Sequence, residues 1–216
     1  FDKVFTEGIS KVTAQDVKYA EDLGFRIKHL GIARRTDAGI ELRVHPTLIP
    51  DDQLIANVNG VKNAVLVQAN AVGPTLYYGA GAGAGPTASA VVADVVDIVR
   101  DIIYTEDGAG TIPQLAFEAL TDLPILTREQ MTTGYYIRIN AEDQMGVLAD
   151  VTTILSRAGI SIDAIMQQPR LKDLIPIVIL TDPIVESKMD AALSQIQALP
   201  VIHGEIVRIR LESLDN

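Results

Sequence analysis

Apolar residues recur along the chain with two different periods, and the switches between them mark out its elements. Val17, Ala20 and Leu23 form the apolar stripe of a first helix. Thr13 stands at its N-cap position, Asp16 takes the acidic position of a capping box, and Gly24 supplies the stop. Residues 25–33 alternate as FRIKHLGIA with Phe25, Ile27 and Leu30 inward. Residues 34–39 turn, and residues 40–45 return as IELRVH, which predicts an antiparallel hairpin. Pro46 and Pro50 bracket a connection, Asp51 and Asp52 cap a short helix around residues 53–57, and Gly60 closes it. Residues 62–68 and 76–78 read as strands. They lead into Gly79, Gly81, Gly83 and Gly85, which alternate with alanine and end at Pro86 and Thr87. This is a loop feeding a helix that Thr87 or Ser89 caps. Val91, Val92, Val95, Val96, Ile98 and Val99 cover more than one face of that helix, so the pattern predicts burial between two bodies.

Residues 104–133 break the periodicity with Gly108, Gly110, Pro113 and Pro124 and read as a linker, with a short helix at 114–120 and a short strand at 125–126. Periodicity then restarts. A strand at 135–140 precedes an amphipathic helix at 143–159, with Val147, Leu148, Val151, Ile154 and Leu155 inward, and a strand at 160–168. After a turn at 169–173, the apolar run 175–181 reads as a central strand. A helix at 184–199 presents Met189, Leu193 and Ile196 on one face, and a last strand spans 205–211. The order βαββαβ is the ferredoxin-like plan, and the whole chain is predicted to be α+β.

Composition narrows the function classes. The 216 residues suffice for one large or two ordinary domains, and a formal charge of −10 argues against nucleic-acid or anionic-membrane partners. No apolar run is long enough to span a bilayer. The absence of cysteine removes disulfides, thiolate metal sites and cysteine nucleophiles, and fits a cytoplasmic protein. His29, His45 and His203 are scattered, read as surface or strand-edge residues, and suggest no metal site. The chain begins at Phe1 without methionine, as a processed product or excised fragment would. The glycine loop overlaps G-x-G-x-x-G only loosely, and no acidic residue follows at the end of a second strand. Two readings of it stay open: a tight turn with close packing, or bare backbone brought against an anion or a polar cofactor edge.

Three stretches, EGISKVTAQDVKYAEDLGFRIKHLG, VHPTLIPDDQLIANVNGVKNAVLV and YYGAGAGAGPTASAVVADVVDIVRD, occur in the family order of the later catalytic region of homoserine dehydrogenases, which residues 7–101 resemble. The resemblance implies an NAD(P)-dependent oxidoreductase that interconverts aspartate semialdehyde and homoserine on the way to threonine, methionine and isoleucine. It implies residues 1–103 as the end of a mixed-sheet substrate domain, in which Gly83 touches the cofactor with Gly81 and Gly85 as neighbours. The family's dinucleotide fingerprint, catalytic lysine and substrate carboxylates precede the stretch matching Phe1. Lys3 reads as a solvated strand charge and Lys11 as a flank to the helix cap. No catalytic residue is therefore expected here, and these residues alone are expected neither to turn over nor to hold NAD(P).

Downstream, AEDQMGVLADVTTILSRAGISIDAI resembles the ACT-domain signature, with Met145 where that family usually has proline. Residues 134–216 are thus expected to form an ACT regulatory domain after a linker at 104–133. The implied effector is threonine or another amino acid, at Asp143 and the N–H groups of Gly146 and Val147, with Asp163 to Ile165 contributing from the neighbouring strand. Asp143 also reads simply as a helix cap. The resemblance implies a homo-oligomer, a dimer or tetramer, built through residues 25–78, the ACT domain or both. The alternative to an enzyme is a non-catalytic module that binds an amino acid and dimerises.

Overall fold

The structure, a computed structural model, describes residues 2–104, 122–170 and 173–214; the helix expected at 114–120 lies outside them. In chain order the elements are β1 (Phe5–Thr6), α1 (Ala14–Asp22), β2 (Phe25–Thr36), β3 (Gly39–Pro50), a 3-10 turn (Leu54–Asn57), β4 (Lys62–Ala69), β5 (Gly73–Ala80) and α2 (Ala84–Tyr104). After a second 3-10 turn (Arg128–Gln130) come β6 (Thr132–Glu142), α3 (Val147–Arg157), β7 (Ile162–Gln167), β8 (Leu174–Val185), α4 (Glu186–Gln197) and β9 (Val207–Leu211). Contacts group the chain into two compact units, Phe1–Ala56 with Leu123–Asn216, and Asn57–Asp122.

In the first unit seven strands form one sheet in the order β1-β3-β9-β6-β8-β7, with β2 paired to β3. The four strands β9-β6-β8-β7, with α3 and α4 on one face, are the expected ferredoxin-like arrangement. The hairpin β2–β3 extends it. β3 runs parallel to β9 through Thr47↔Arg210 and Leu48↔Leu211, and parallel to β1 through Phe5↔Arg43 and Thr6↔Val44. Pro46 falls in the gap between these two pairings. The hairpin is longer than its alternation predicts, because the pairing continues from Thr36↔Gly39 to Phe25↔Pro50 and leaves only Asp37 and Ala38 in the turn. Gly39 is required there: its φ is +148°, and a Cβ would overlap the Pro124 carbonyl oxygen. That carbonyl accepts the Ile40 N–H at 2.8 Å, and the Leu126 N–H returns to the Ile40 carbonyl at 2.9 Å, so the strand expected at 125–126 is a single bridge.

The period of two in β6 sends its side chains to two different cores. Tyr135, Ile137 and Ile139 pack with Val151 and Leu155 of α3 and with Met189 and Ile196 of α4. Tyr136 joins Val178, Leu180, Val207 and Ile209 on the opposite face, where Tyr19 and Ala20 of α1 cover them. The buried face of α1 is therefore Asp16, Tyr19 and Ala20, with Leu23 partly buried, while Val17 is exposed. Of the expected stripe Val17-Ala20-Leu23, Ala20 and Leu23 face the core and Val17 does not; Tyr19 and Asp16, which turns inward as well as capping the helix, complete the buried face.

The second unit pairs β4 with β5 from Lys62↔Ala80 to Ala69↔Gly73 and continues into α2. α2 starts before Thr87, whose N–H already bonds to the Gly83 carbonyl at 3.1 Å, so neither Thr87 nor Ser89 caps it. Its valines, expected to be covered, are exposed in this chain, from 40% at Val96 to 60% at Val92. Among the described residues no helix is long and apolar enough to cross a membrane.

Candidate functional site

The glycine loop closes the second unit. Gly81 donates its N–H to the Val61 carbonyl at 3.0 Å, and a Cβ there would overlap the Asn63 side-chain amide, so Gly81 is fixed by close packing. Gly83, at φ +124°, makes the bend that starts α2. Beyond it Pro86 has no N–H and Thr87 is already bonded, which leaves the Ala84 and Gly85 N–H groups without an intrahelical acceptor. A Cβ on Gly85 would meet nothing within 4 Å. The exposed part of the loop is therefore short: two peptide N–H groups at the positive end of a 21-residue helix.

In the first unit the loop 143–146 joins β6 to α3. Gly146, at φ +94°, takes the N-cap position with no side-chain hydrogen bond, so Asp143 does not cap α3. The Asp143 carboxylate instead faces Arg170 at 3.7 Å, both side chains being about half exposed. Val147 is buried in the core below. Asp143, Gly146 and Val147 are thus together. Asp163 and Ile165 lie on β7, which β8 separates from β6. Asp163 falls at the irregularity between Ile162 and Ala164, and Ile165 is 39% exposed. Arg170, on the connection between β7 and β8, reaches the loop without having been signalled by any motif.

Three buried ionic groups join residues that are distant in the chain. The Asp16 carboxylate accepts from the Thr13 N–H at 2.9 Å and Thr13 Oγ1 at 2.6 Å. It also accepts from Tyr136 Oη at 3.0 Å and from Arg138 Nε and Nη2 at 2.6 and 3.1 Å. Burial alone would raise its pKa, but the bonds from Arg138 and Thr13 outweigh that and hold it below the usual carboxylate range. Glu186 accepts from Arg210 Nε at 2.9 Å and Tyr135 Oη at 2.7 Å, with Arg128 and Arg208 beside it at 3.0 and 3.2 Å. Glu212 pairs with Arg43 and, at 2.5 Å, with Arg34. Lys11, expected only to flank a cap, pairs with Glu205.

His45 is the clearest departure from the sequence-based expectation. It is buried, not on the surface or a strand edge, with Nδ1 2.9 Å from the Pro46 carbonyl and Nε2 without a partner. Glu41, Arg43, His45 and Thr47 are all buried on one face of β3, while Ile40, Leu42 and Val44 are only half-buried. IELRVH alternates as expected, but with its charged face the more deeply covered.

Comparison with known proteins matches both stretches. A family model described as homoserine dehydrogenase covers residues 1–96, and one described as ACT domain covers residues 135–200. The homoserine dehydrogenase of Pseudomonas aeruginosa is 56% identical over 219 residues, covering 100% of this chain and 50% of that protein. That of Neisseria gonorrhoeae is 48% identical over 217 residues, covering 99% and 49%. A crystal structure of a homoserine dehydrogenase from Thiobacillus denitrificans superposes with a TM-score of 0.89 at 55% identity, covering 99% of this chain and 48% of that one. The chain thus spans about half the length of the relatives it matches. With both stretches matched in order, the chain carries a segment matched to the homoserine dehydrogenase family, residues 1–96, followed by a segment matched to the ACT domain, residues 135–200.

Proposed function

We propose that this chain works within an NAD(P)-dependent homoserine dehydrogenase that interconverts aspartate semialdehyde and homoserine, and that its ACT domain senses an amino acid. We take residues 1–103 as the end of the substrate domain, 104–133 as the connection and 134–216 as the ACT domain. The observation that carries the reading is the 56% identity to a homoserine dehydrogenase across the full chain. The glycine loop supports it. Gly83 and Gly85 leave bare backbone at the start of α2, where the Ala84 and Gly85 N–H groups would meet a polar edge of the cofactor, and Gly81 holds the loop against Asn63. A bound nicotinamide supplies the hydride; these residues orient it. The 216 residues hold neither a dinucleotide fingerprint nor a lysine in the family's catalytic setting, so by themselves they are expected to be inactive.

For the effector, L-threonine or another amino acid, the loop 143–147 offers complementary partners: the Asp143 carboxylate for an ammonium, and the α3 N-terminus with Arg170 for a carboxylate. Binding there inhibits only if it favours a less active arrangement of the subunits. We further propose a cytoplasmic homo-oligomer. The exposed valines of α2 support assembly with further protein surface.

The test is NAD(P)H oxidation driven by aspartate semialdehyde, measured on the longer protein that contains these residues. Gly83→Ala, which strains a position at φ +124°, is expected to raise the cofactor KM about tenfold, roughly 1.4 kcal/mol. Undetectable turnover by the parent protein would favour the non-catalytic binding module instead.

A further inference from the structure

The outer face of a βαββαβ sheet has no helix of its own. Here α1, from the segment matched to the dehydrogenase, packs on it through Tyr19 and Ala20. The contact is anchored by one carboxylate. Asp16 is fully buried and bonds at once to the cap of α1, through Thr13, and to β6 of the ACT domain, through Tyr136 and Arg138.

β6 is also the strand that ends in the loop 143–146, and a continuous run of contacts leads along it. Glu142 donates its N–H to the Val201 carbonyl at 2.9 Å and places its carboxylate 2.7 Å from His203 Nε2. The His203 N–H bonds to the Asn140 carbonyl at 2.9 Å, and Asn140 Oδ1 lies 3.4 Å from Arg138 Nη1. Arg138 then holds Asp16. Such a joint does not stretch gradually: a shift of β6 by about an ångström takes a buried charge pair out of bonding distance, so α1 either follows or loses its cap.

We propose that Asp16 is the joint through which the state of the 143–146 loop reaches α1, and through α1 the dehydrogenase segment. For the ligand that sets that state, the inference rests on the effector reading above; for the joint itself, it rests on the bonds of Asp16. Linkage makes the coupling reciprocal, so a change at either end should register at the other.

Hydrogen exchange on the whole chain tests both directions. Without ligand, Asp16→Asn keeps a capping side chain but loses the charge facing Arg138. Exchange at residues 143–150 is expected to rise severalfold, while α4 on the opposite face stays unchanged. A rise confined to residues 13–24, or equal across the unit, would overturn the proposal. With saturating L-threonine, α1 amides should shift in the wild type, and in Arg138→Lys the ligand should bind within about threefold while α1 no longer responds. An α1 response that survives in Arg138→Lys, or is absent in a wild type that binds threonine, overturns it as well. A wild type that binds no amino acid, together with the expected ligand-free rise at residues 143–150 in Asp16→Asn, would sink the effector reading and leave the joint standing.

Discussion

Glu186→Ala is expected to lower the stability of the chain by about 3–5 kcal/mol at neutral pH, the usual effect of removing one member of a buried charge network. Glu186 is fully buried and is the acceptor shared by Arg210, Tyr135, Arg128 and Arg208. Asp190 and Glu7 would still hold Arg128, Arg208 and Arg210 in part, but Arg210, almost fully buried, would lose both its bonds to Glu186. Glu186→Gln should cost less, because an amide still accepts one hydrogen bond. Burial by itself would raise the Glu186 pKa; the bonds and charges of Arg210 and Arg208 overcome it and bring the value down to about 2. A folded-state pKa depressed below the unfolded value of 4.5 means stability that is present above pH 4.5 and lost as pH falls toward 2, amounting to about 3 kcal/mol. Urea midpoints at pH 7 and pH 3 read both effects. An alanine variant within about 1 kcal/mol of wild type would mean that the network is not closed to water.

His45 should make the fold sensitive to acid over a different window. Burial, with Arg210 and Arg43 nearby and only partly offset by the bond to the Pro46 carbonyl, pushes its pKa down from 6.5 to about 4. Between those values the unfolded chain takes up a proton that the folded chain refuses. Stability therefore rises with pH from 4 to 6.5 and is flat above, a span worth about 3 kcal/mol. In His45→Gln the difference between urea midpoints at pH 5 and pH 7 should shrink accordingly. An unchanged difference would place the acid response elsewhere.

Both effects come from groups whose roles the sequence did not display, and the reason is physical. Signals carried by neighbouring residues were legible: the Thr13–Asp16 capping box, the hairpin of residues 25–45 and the βαββαβ order all rest on contacts a few residues apart or on a simple period, whereas residues 46–50, expected as a connection, continue the second strand. The parallel pairing of β3 with β9 joins distant parts of the chain, and nothing in either strand names its partner. Arg43 of β3 is buried between Glu41 of its own strand and Glu212 from just beyond β9, inverting the usual reading of an alternating strand. Asp16 shows the same limit in one residue. Its cap was visible, whereas its bond to Arg138 across the sheet was not. At the loop 143–146 the departure is conformational: Gly146 takes the cap at positive φ and releases Asp143 toward Arg170. At the glycine loop, close packing and exposed backbone prove compatible, Gly81 serving the first and Gly85 the second.

Isothermal titration of the chain with L-threonine, against L-serine, L-isoleucine and L-lysine, tests most directly whether it carries an amino-acid sensor. Saturable heat is expected with threonine, and is expected to be lost in Asp143→Ala, which removes the carboxylate proposed to meet the ammonium. No heat with any of the four, or equal heat with and without Asp143, would contradict the account and leave the ACT domain as a structural partner of α1.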